Sequence, residues 1–132
     1  MTHNPHSPKT TMKIIDQQLI DEVIEQAKAS PRLRKNYNFH QSLDDKCHRF
    51  LNALEMGTIV PIHHHITKDE TFILLKGSVH VNTYNDQGQL IESVTLSQAD
   101  GRLGVDIPKD TWHNVECLQP GSVIFEVKEG PF

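Results

Sequence analysis

The spacing of hydrophobic and polar positions changes character along the chain. Leu19, Ile20, Val23, Ile24 and Ala27 recur every three or four residues, which predicts an amphipathic helix over 16–29. Asp16 stands before the stripe as an N-cap. Ser30-Pro31 ends it, because a residue preceding proline is driven out of helical geometry. Such a stripe packs on the body of the domain or on a partner subunit, so a homodimer is one expectation. Residues 31–41 show no clear period. Ser42-x-x-Asp45 has the form of a helix-capping signal, and Cys47, Phe50, Leu51 and Leu54 fall at helical spacing. The chain then turns to β. Strands are predicted over 58–64, 70–76, 78–84, 90–96, 103–107, 111–117 and 122–128, in runs rich in Thr, Val, Ile and Phe. Asn85-Asp-Gln-Gly88 reads as a hairpin turn, and Gln98-Ala-Asp-Gly101 and Gln119-Pro-Gly121 as further connections. Many short strands at even spacing predict an all-β sandwich or barrel.

Length and charge narrow the picture. A chain of 132 residues fits one domain with a core that needs no disulfides. Residues 1–11 are polar and aperiodic and read as a flexible tail, with His3 and His6 outside any site; the domain is expected over 12–132. The net charge of −4 argues against nucleic acid as a partner. No apolar run has membrane-spanning length and the N-terminus has no signal-like apolar segment, so a cytoplasmic protein without a membrane partner is expected. Cys47 and Cys117 are too few for a disulfide framework and are expected as buried thiols, Cys117 in strand parity with His113.

The candidate chemistry lies in Gly57-Thr-Ile-Val-Pro-Ile-His63-His64-His65-Ile-Thr-Lys-Asp-Glu70. On a strand, His63 and His65 share one face and His64 points away. Glu70 opens the next strand, and Phe72 and Leu74 follow it inward as an apolar floor. Asp69 is the other nearby carboxylate. His113 arrives from a distant strand, and Trp112 beside it has the opposite parity, suited to packing. Three imidazoles and a carboxylate favour one divalent transition metal, Fe, Mn, Ni, Co or Zn, over Ca or Mg, which want oxygen ligands. His48 and His80 fit no site and are expected at the surface.

Gly57 to Gly77 resembles the first cupin motif, a Gly, five residues, His-x-His, a short gap, Glu, six residues and Gly. Pro108 to His113 is similar to the second motif, with Asp110 where that motif usually has Gly and Cys117 where it usually has Asn. Ser30-Pro-Arg-Leu-Arg-Lys-Asn-Tyr-Asn-Phe-His40, Arg49-Phe-Leu-Asn-Ala-Leu and the ending Phe125-Glu-Val-Lys-Glu-Gly-Pro-Phe132 resemble the WbuC family of cupin-fold metalloproteins. The resemblance implies an all-β, double-stranded β-helix barrel with an N-terminal helix and a metal held by His63, His65, Glu70 and His113. It also implies a strand directly before Gly57, which places a short helix near 43–48 and a strand over 49–55. The family's association with surface-polysaccharide gene clusters implies a small polar ligand such as a sugar or sugar-nucleotide. Metal-dependent isomerases, epimerases and oxygenases all use this fold, as do non-catalytic sugar binders and sensors, so the fold leaves the reaction open.

Arg32, Arg34, Asn36, Asn38 and His40 crowd hydrogen-bonding groups into the irregular stretch, and Arg49 and Asn52 follow just after it. They read either as a rim gripping a sugar or anionic ligand, for which a guanidinium fork is suited, or as a solvated charged loop.

Overall fold

A computed structural model describes residues 12–131. The expected tail over 1–11, with His3 and His6, lies outside the described residues. Helix α1 spans Gln17–Ala29, with the Asp16 side chain accepting from the Leu19 amide at 3.0 Å. Eight strands follow: β1 Arg34–Asn38, β2 Cys47–Leu54, β3 Glu70–Lys76, β4 Ser78–Tyr84, β5 Leu90–Ser97, β6 Gly104–Ile107, β7 Trp112–Cys117 and β8 Ser122–Glu129. They form two antiparallel sheets, ordered β1-β2-β8-β3-β6 and β5-β4-β7. No described helix is long and apolar enough to cross a membrane.

Each sheet turns one face inward. Leu54, Phe72, Leu74 and Ile124 of the larger sheet meet Val79, Val81, Leu96 and Val115 of the smaller in one buried core. Alternation sends the neighbours of the inward residues outward. Leu51, Ala53 and Val123 therefore form a second buried patch on the far face of the larger sheet. Helix α1 covers that patch with Ile20, Val23, Ile24 and Ala27, so its apolar stripe is used within the chain.

Three expectations are corrected. Residues 34–38 form edge strand β1, which pairs Arg34 with Leu54 and Asn38 with Phe50. Its apolar alternation is missing because only Tyr37 packs under the helix. No helix forms near 43–48. The Asp45 carboxylate instead accepts from the preceding amides of Gln41 and Ser42, at 2.7 and 3.4 Å, and closes a turn. Strand β2 starts at Cys47, two residues before the expected 49. The stretch 58–64 is not a strand either. Pro61 has no amide to donate, and only His63 makes a bridge, exchanging backbone hydrogen bonds of 3.0 and 2.8 Å with His113.

Two buried-or-exposed expectations also reverse. His48 is buried, its ring stacked on His40 at 4.2 Å with 3° between planes. Its parity with Phe50 turns it inward, a placement its polar neighbours in sequence conceal. Cys47, one position earlier, is exposed for the same reason. His80 is half-buried, with its Nδ1 2.9 Å from the Thr95 hydroxyl. The thiol of Cys117 packs against the core and donates to the backbone oxygens of Leu54 and Gln119. Burial pushes this thiol up from its ordinary value, as suits an inert structural cysteine.

Candidate metal centre

Glu70 begins β3 and points inward beside Ile107 of β6 and Lys128 of β8. His113, in β7, is buried in the facing sheet. The single bridge between residues 63 and 113 ties the irregular segment to β7, and this brings His63 and His65 to the same point. One ligand-capable atom from each of His63, His65, Glu70 and His113 lies within 4.8 Å of all the others, and the group could hold a metal ion. An ion bonded at about 2.0–2.2 Å spans at most about 4.4 Å between opposite ligands, so little movement would close the group around one.

The backbone prepares two of the rings. The Nδ1 of His63 lies 2.9 Å from the Pro61 oxygen, and the Nδ1 of His113 lies 2.8 Å from the Thr111 oxygen. A carbonyl only accepts, so each Nδ1 carries the proton and each Nε2 is left with its lone pair. His113 Nε2 faces Glu70 Oε1 at 3.0 Å, and His65 Nε2 faces the same oxygen at 3.6 Å. His113 Nε2 and Glu70 Oε1 are close enough to share a proton or to bind one ion together. The rings are tilted by 51–75° to one another, and their donor atoms converge to within 4.8 Å.

The charge states suit the same use. Burial lowers the His65 imidazole to about 4, with a further push from Lys128, and burial also lowers His63. Both rings are therefore neutral at pH 7. Burial would raise the Glu70 carboxyl, but the hydrogen bond with His113 and the adjacent positive charges outweigh it and hold the group below its ordinary value. His63 and His65 thus offer neutral imidazoles beside the ionised carboxylate of Glu70, the forms in which these groups bind metals.

His64 does not join the group. It stacks on Trp112 at 3.7 Å, and its Nε2 lies 3.5 Å from Asp110. Trp112 also donates to Asp86 at 3.1 Å. Asp110 has φ of 60°, the left-handed conformation that explains why glycine is usual at this place in the motif. Gly77, at the end of the first motif, has φ of 82°. A Cβ there would fall 2.2 Å from the Ser122 hydroxyl, so glycine is needed on two counts. Phe72 and Leu74 are buried beneath the group, with the Phe72 ring 6.1 Å from that of His113. Asp69 is turned away and accepts from the Lys109 amide.

A cavity of about 450 Å³ opens beside the group. Of the expected rim residues, Arg32, Arg34 and Asn36 line it, whereas Asn38, His40 and Arg49 do not. His40 is buried against His48, and Arg49 has the parity of Leu51, on the sheet face that carries the helix. Arg34 donates to the Ile59 oxygen at 2.8 Å. Of the rest of the wall, Asn52 belongs to the polar residues read from the sequence as a rim, and Phe50, Glu126 and Lys128 do not. Phe50, Asn52, Glu126 and Lys128 face the cavity from β2 and β8. Glu126 and Lys128 are buried, a rare state for either residue type. Burial, then the charge of Glu70, raises the Glu126 carboxyl to about 8, and the Asn52 amide donates to it at 2.8 Å. Burial also lowers Lys128. The alternation Ile124, Glu126, Lys128 was the available signal. It places two charged side chains on the inward face of a strand whose other inward member is core.

Comparisons with known proteins agree with this architecture. The TT1209 structure from Thermus thermophilus has a TM-score of 0.64 at 20% identity, covering 91% of this chain and 98% of that one. The structure of KdgF from Halomonas sp. has a TM-score of 0.59 at 16% identity, covering 76% and 82%. A cupin-2 domain protein from Shewanella frigidimarina has a TM-score of 0.54 at 17% identity, covering 73% and 80%. At these identities the likeness concerns the fold, which is the cupin barrel with an added N-terminal helix. No curated protein matches the chain. The model of the family described as "Domain of unknown function (DUF6016)" matches residues 15–96, and the chain belongs to that family.

Proposed function

We propose that this protein is a divalent-metal-dependent cupin enzyme of the WbuC type, acting on a small polar molecule such as a sugar or sugar-nucleotide used in surface-polysaccharide synthesis. His63, His65, Glu70 and His113 hold the metal. The carrying observation is the convergence of one donor atom from each of these four residues to within 4.8 Å of one another. A bound ion of this class supplies a Lewis acid to a ligand oxygen. The chain's own residues do the remainder. Phe72 and Leu74 keep water from the floor of the site. Arg32, Arg34 and Asn36 orient the ligand at the mouth, and Asn52, Glu126 and Lys128 contact it from the wall. A buried, protonated Glu126 is able to deliver a proton to the ligand or take one back.

The open cavity beside the donors supports an enzyme or ligand-binding site over a purely structural metal, which would be closed by protein ligands. The test is metal analysis of the purified protein, followed by product analysis of the Fe, Mn, Ni, Co and Zn forms with candidate sugars and sugar-nucleotides. Turnover by one form, lost in Glu126→Gln with metal content unchanged, is the expected result. Saturable binding without product assigns a non-catalytic sensor instead. A protein that takes up no transition metal overturns both readings.

A further inference from the structure

The wall of the cavity contains a polar atom that the fold leaves unused. Asn52 donates through Nδ2 to Glu126 Oε2 at 2.8 Å, while its Oδ1 is buried and has no hydrogen-bond partner among the described residues. A buried acceptor without a donor costs roughly 1–3 kcal/mol. Turning the amide over does not remove the problem, because Nδ2 would then be the orphan. In one orientation the missing partner is a donor and in the other an acceptor. A hydroxyl group answers both needs, since it donates and accepts.

The mouth of the same cavity has a complementary deficit. Arg34 is held in place by the Ile59 oxygen at 2.8 Å and the Thr58 hydroxyl at 3.4 Å. Burial, and then the charge of nearby Arg32, hold the Arg34 guanidinium below its ordinary value. No carboxylate among the described residues forms an ion pair with either. With Lys128, three cationic side chains line a cavity that holds two acids, Glu70 and Glu126. A divalent ion would add two positive charges. An anionic group between the two guanidiniums relieves this imbalance through charge-assisted hydrogen bonds.

We propose that the cavity recognises a hydroxylated acid of the sugar-acid class, with a hydroxyl seated on Asn52 and Glu126 and the acid group between Arg32 and Arg34. The cavity volume of about 450 Å³ suits one small molecule reaching both places. This rests on the reading above that the histidine group holds a metal and the cavity holds its ligand, and it narrows the ligand to one chemical class. Asn52 and Glu126 become specificity-determining residues that no sequence motif marks.

Glucuronate, glucose and acetate separate the two contacts, because each simpler probe lacks one of the groups. Binding to the metal-loaded protein is measured by calorimetry, with metal content and thermal midpoint followed in the same samples. Glucuronate should bind at least tenfold more tightly than glucose or acetate. Asn52→Ala should weaken glucuronate at least tenfold and leave acetate unchanged. Arg32→Ala should weaken glucuronate and acetate and leave glucose unchanged. Should Asn52→Ala fold poorly, Asn52→Leu preserves the volume and removes both polar atoms. Equal binding of glucuronate and glucose overturns the acid contact. A folded Asn52 variant that binds glucuronate like the parent overturns the hydroxyl contact. A metal-loaded protein that binds none of the three overturns the inference and leaves the metal site standing. Failure to take up metal overturns the reading beneath it and the inference with it.

Discussion

Among the described residues, imidazole rings meet in two places, at His63, His65 and His113 and again at His40 and His48, and the two groups differ in how their rings are inclined. His40 and His48 are both buried and nearly parallel, stacked 4.2 Å apart with 3° between planes. Ring nitrogens direct their lone pairs within the ring plane, so parallel rings aim past one another and cannot share an ion. Backbone groups engage one nitrogen of each ring: the Arg49 amide donates to His40 Nδ1, and His48 Nε2 meets the Leu43 oxygen. The other three rings are tilted by 51–75°, and a carboxylate sits at their focus. Among the described residues, only the group with the carboxylate, His63, His65, Glu70 and His113, is a candidate metal site. The density of histidine therefore says less than ring inclination and the partners of each nitrogen.

The largest expected effect tests this contrast on metal content. The protein should carry about one transition-metal ion per chain. Replacing His63, His65, Glu70 or His113 by Ala should lower metal affinity by at least about a hundredfold, since each removes a donor outright. His40→Ala, His48→Ala and His64→Ala should leave the content unchanged after dialysis. Metal loss in His64→Ala equal to that in His63→Ala would break the distinction.

Stability should show the opposite order. His48→Ala empties a buried, stacked position and should cost about 2–3 kcal/mol in chemical denaturation of the metal-free protein. His64→Ala should cost less than about 1 kcal/mol, because its ring is partly exposed and rests on Trp112 from outside the core. Equal losses would mean that the stacked pair is not a packing element.

Proton binding gives the next effect. Burial first, and then the charge of His40, hold His48 below its ordinary value. The unfolded chain therefore takes up this proton before the folded one. The contribution is complete above about pH 6.5 and is lost as pH falls from there through the lower folded value. His63 and His65 behave likewise without metal, His65 over the window from about 6.5 to about 4. Thermal midpoints of the metal-free protein should fall through this range, and part of the fall should vanish in His48→Ala. A bound metal should raise the midpoint at pH 7 and be displaced as the imidazoles protonate, steepening the acid limb of the loaded protein. Identical acid limbs with and without metal would remove the histidines from the ligand set.

The smallest expected effect concerns the segment that carries the histidines. The Asn114 side chain donates to the Val60 oxygen at 3.3 Å and accepts from Tyr84 at 2.9 Å, so it helps to hold 58–62 against β7. Asn114→Ala should lower metal affinity by only a few fold, because the backbone bridge between His63 and His113 remains. A loss as large as that from His63→Ala would mean that the bridge is not what positions the ring.

Much of the architecture was legible locally. Helix α1 announced itself by its stripe, its Asp16 cap and Pro31, all set by interactions within a few residues. Strands β3 and β4 match their predicted limits because Gly77, with its left-handed backbone, separates two alternating runs. His63, His65 and Glu70 were legible as a group for the same reason, since eight consecutive residues carry them. Strand β1 was not. It is an edge strand beside a polar cavity, so Arg34 and Asn36 occupy places where a core strand would show apolar residues. Residues 58–64 misled in the opposite direction, being apolar enough for a strand while Pro61 and the irregular backbone prevent one.

By itself the sequence determined a β-rich sandwich or barrel, the packing face of its helix and the candidate donors of a metal site, because these follow from period, turn chemistry and the spacing of neighbours, and the cupin resemblance selected the barrel. Tertiary structure alone decided which inward positions are dry and which are polar. Phe50 and Asn52 on β2 meet Glu126 and Lys128 on β8 through the pairing of Phe50 with Glu126 and His48 with Lys128. A strand's alternation states only that such residues share a face. Which strands lie side by side, in what register, and how far a neighbouring ring is tilted depend on contacts between residues far apart in the chain, and those contacts assemble the wall of the cavity.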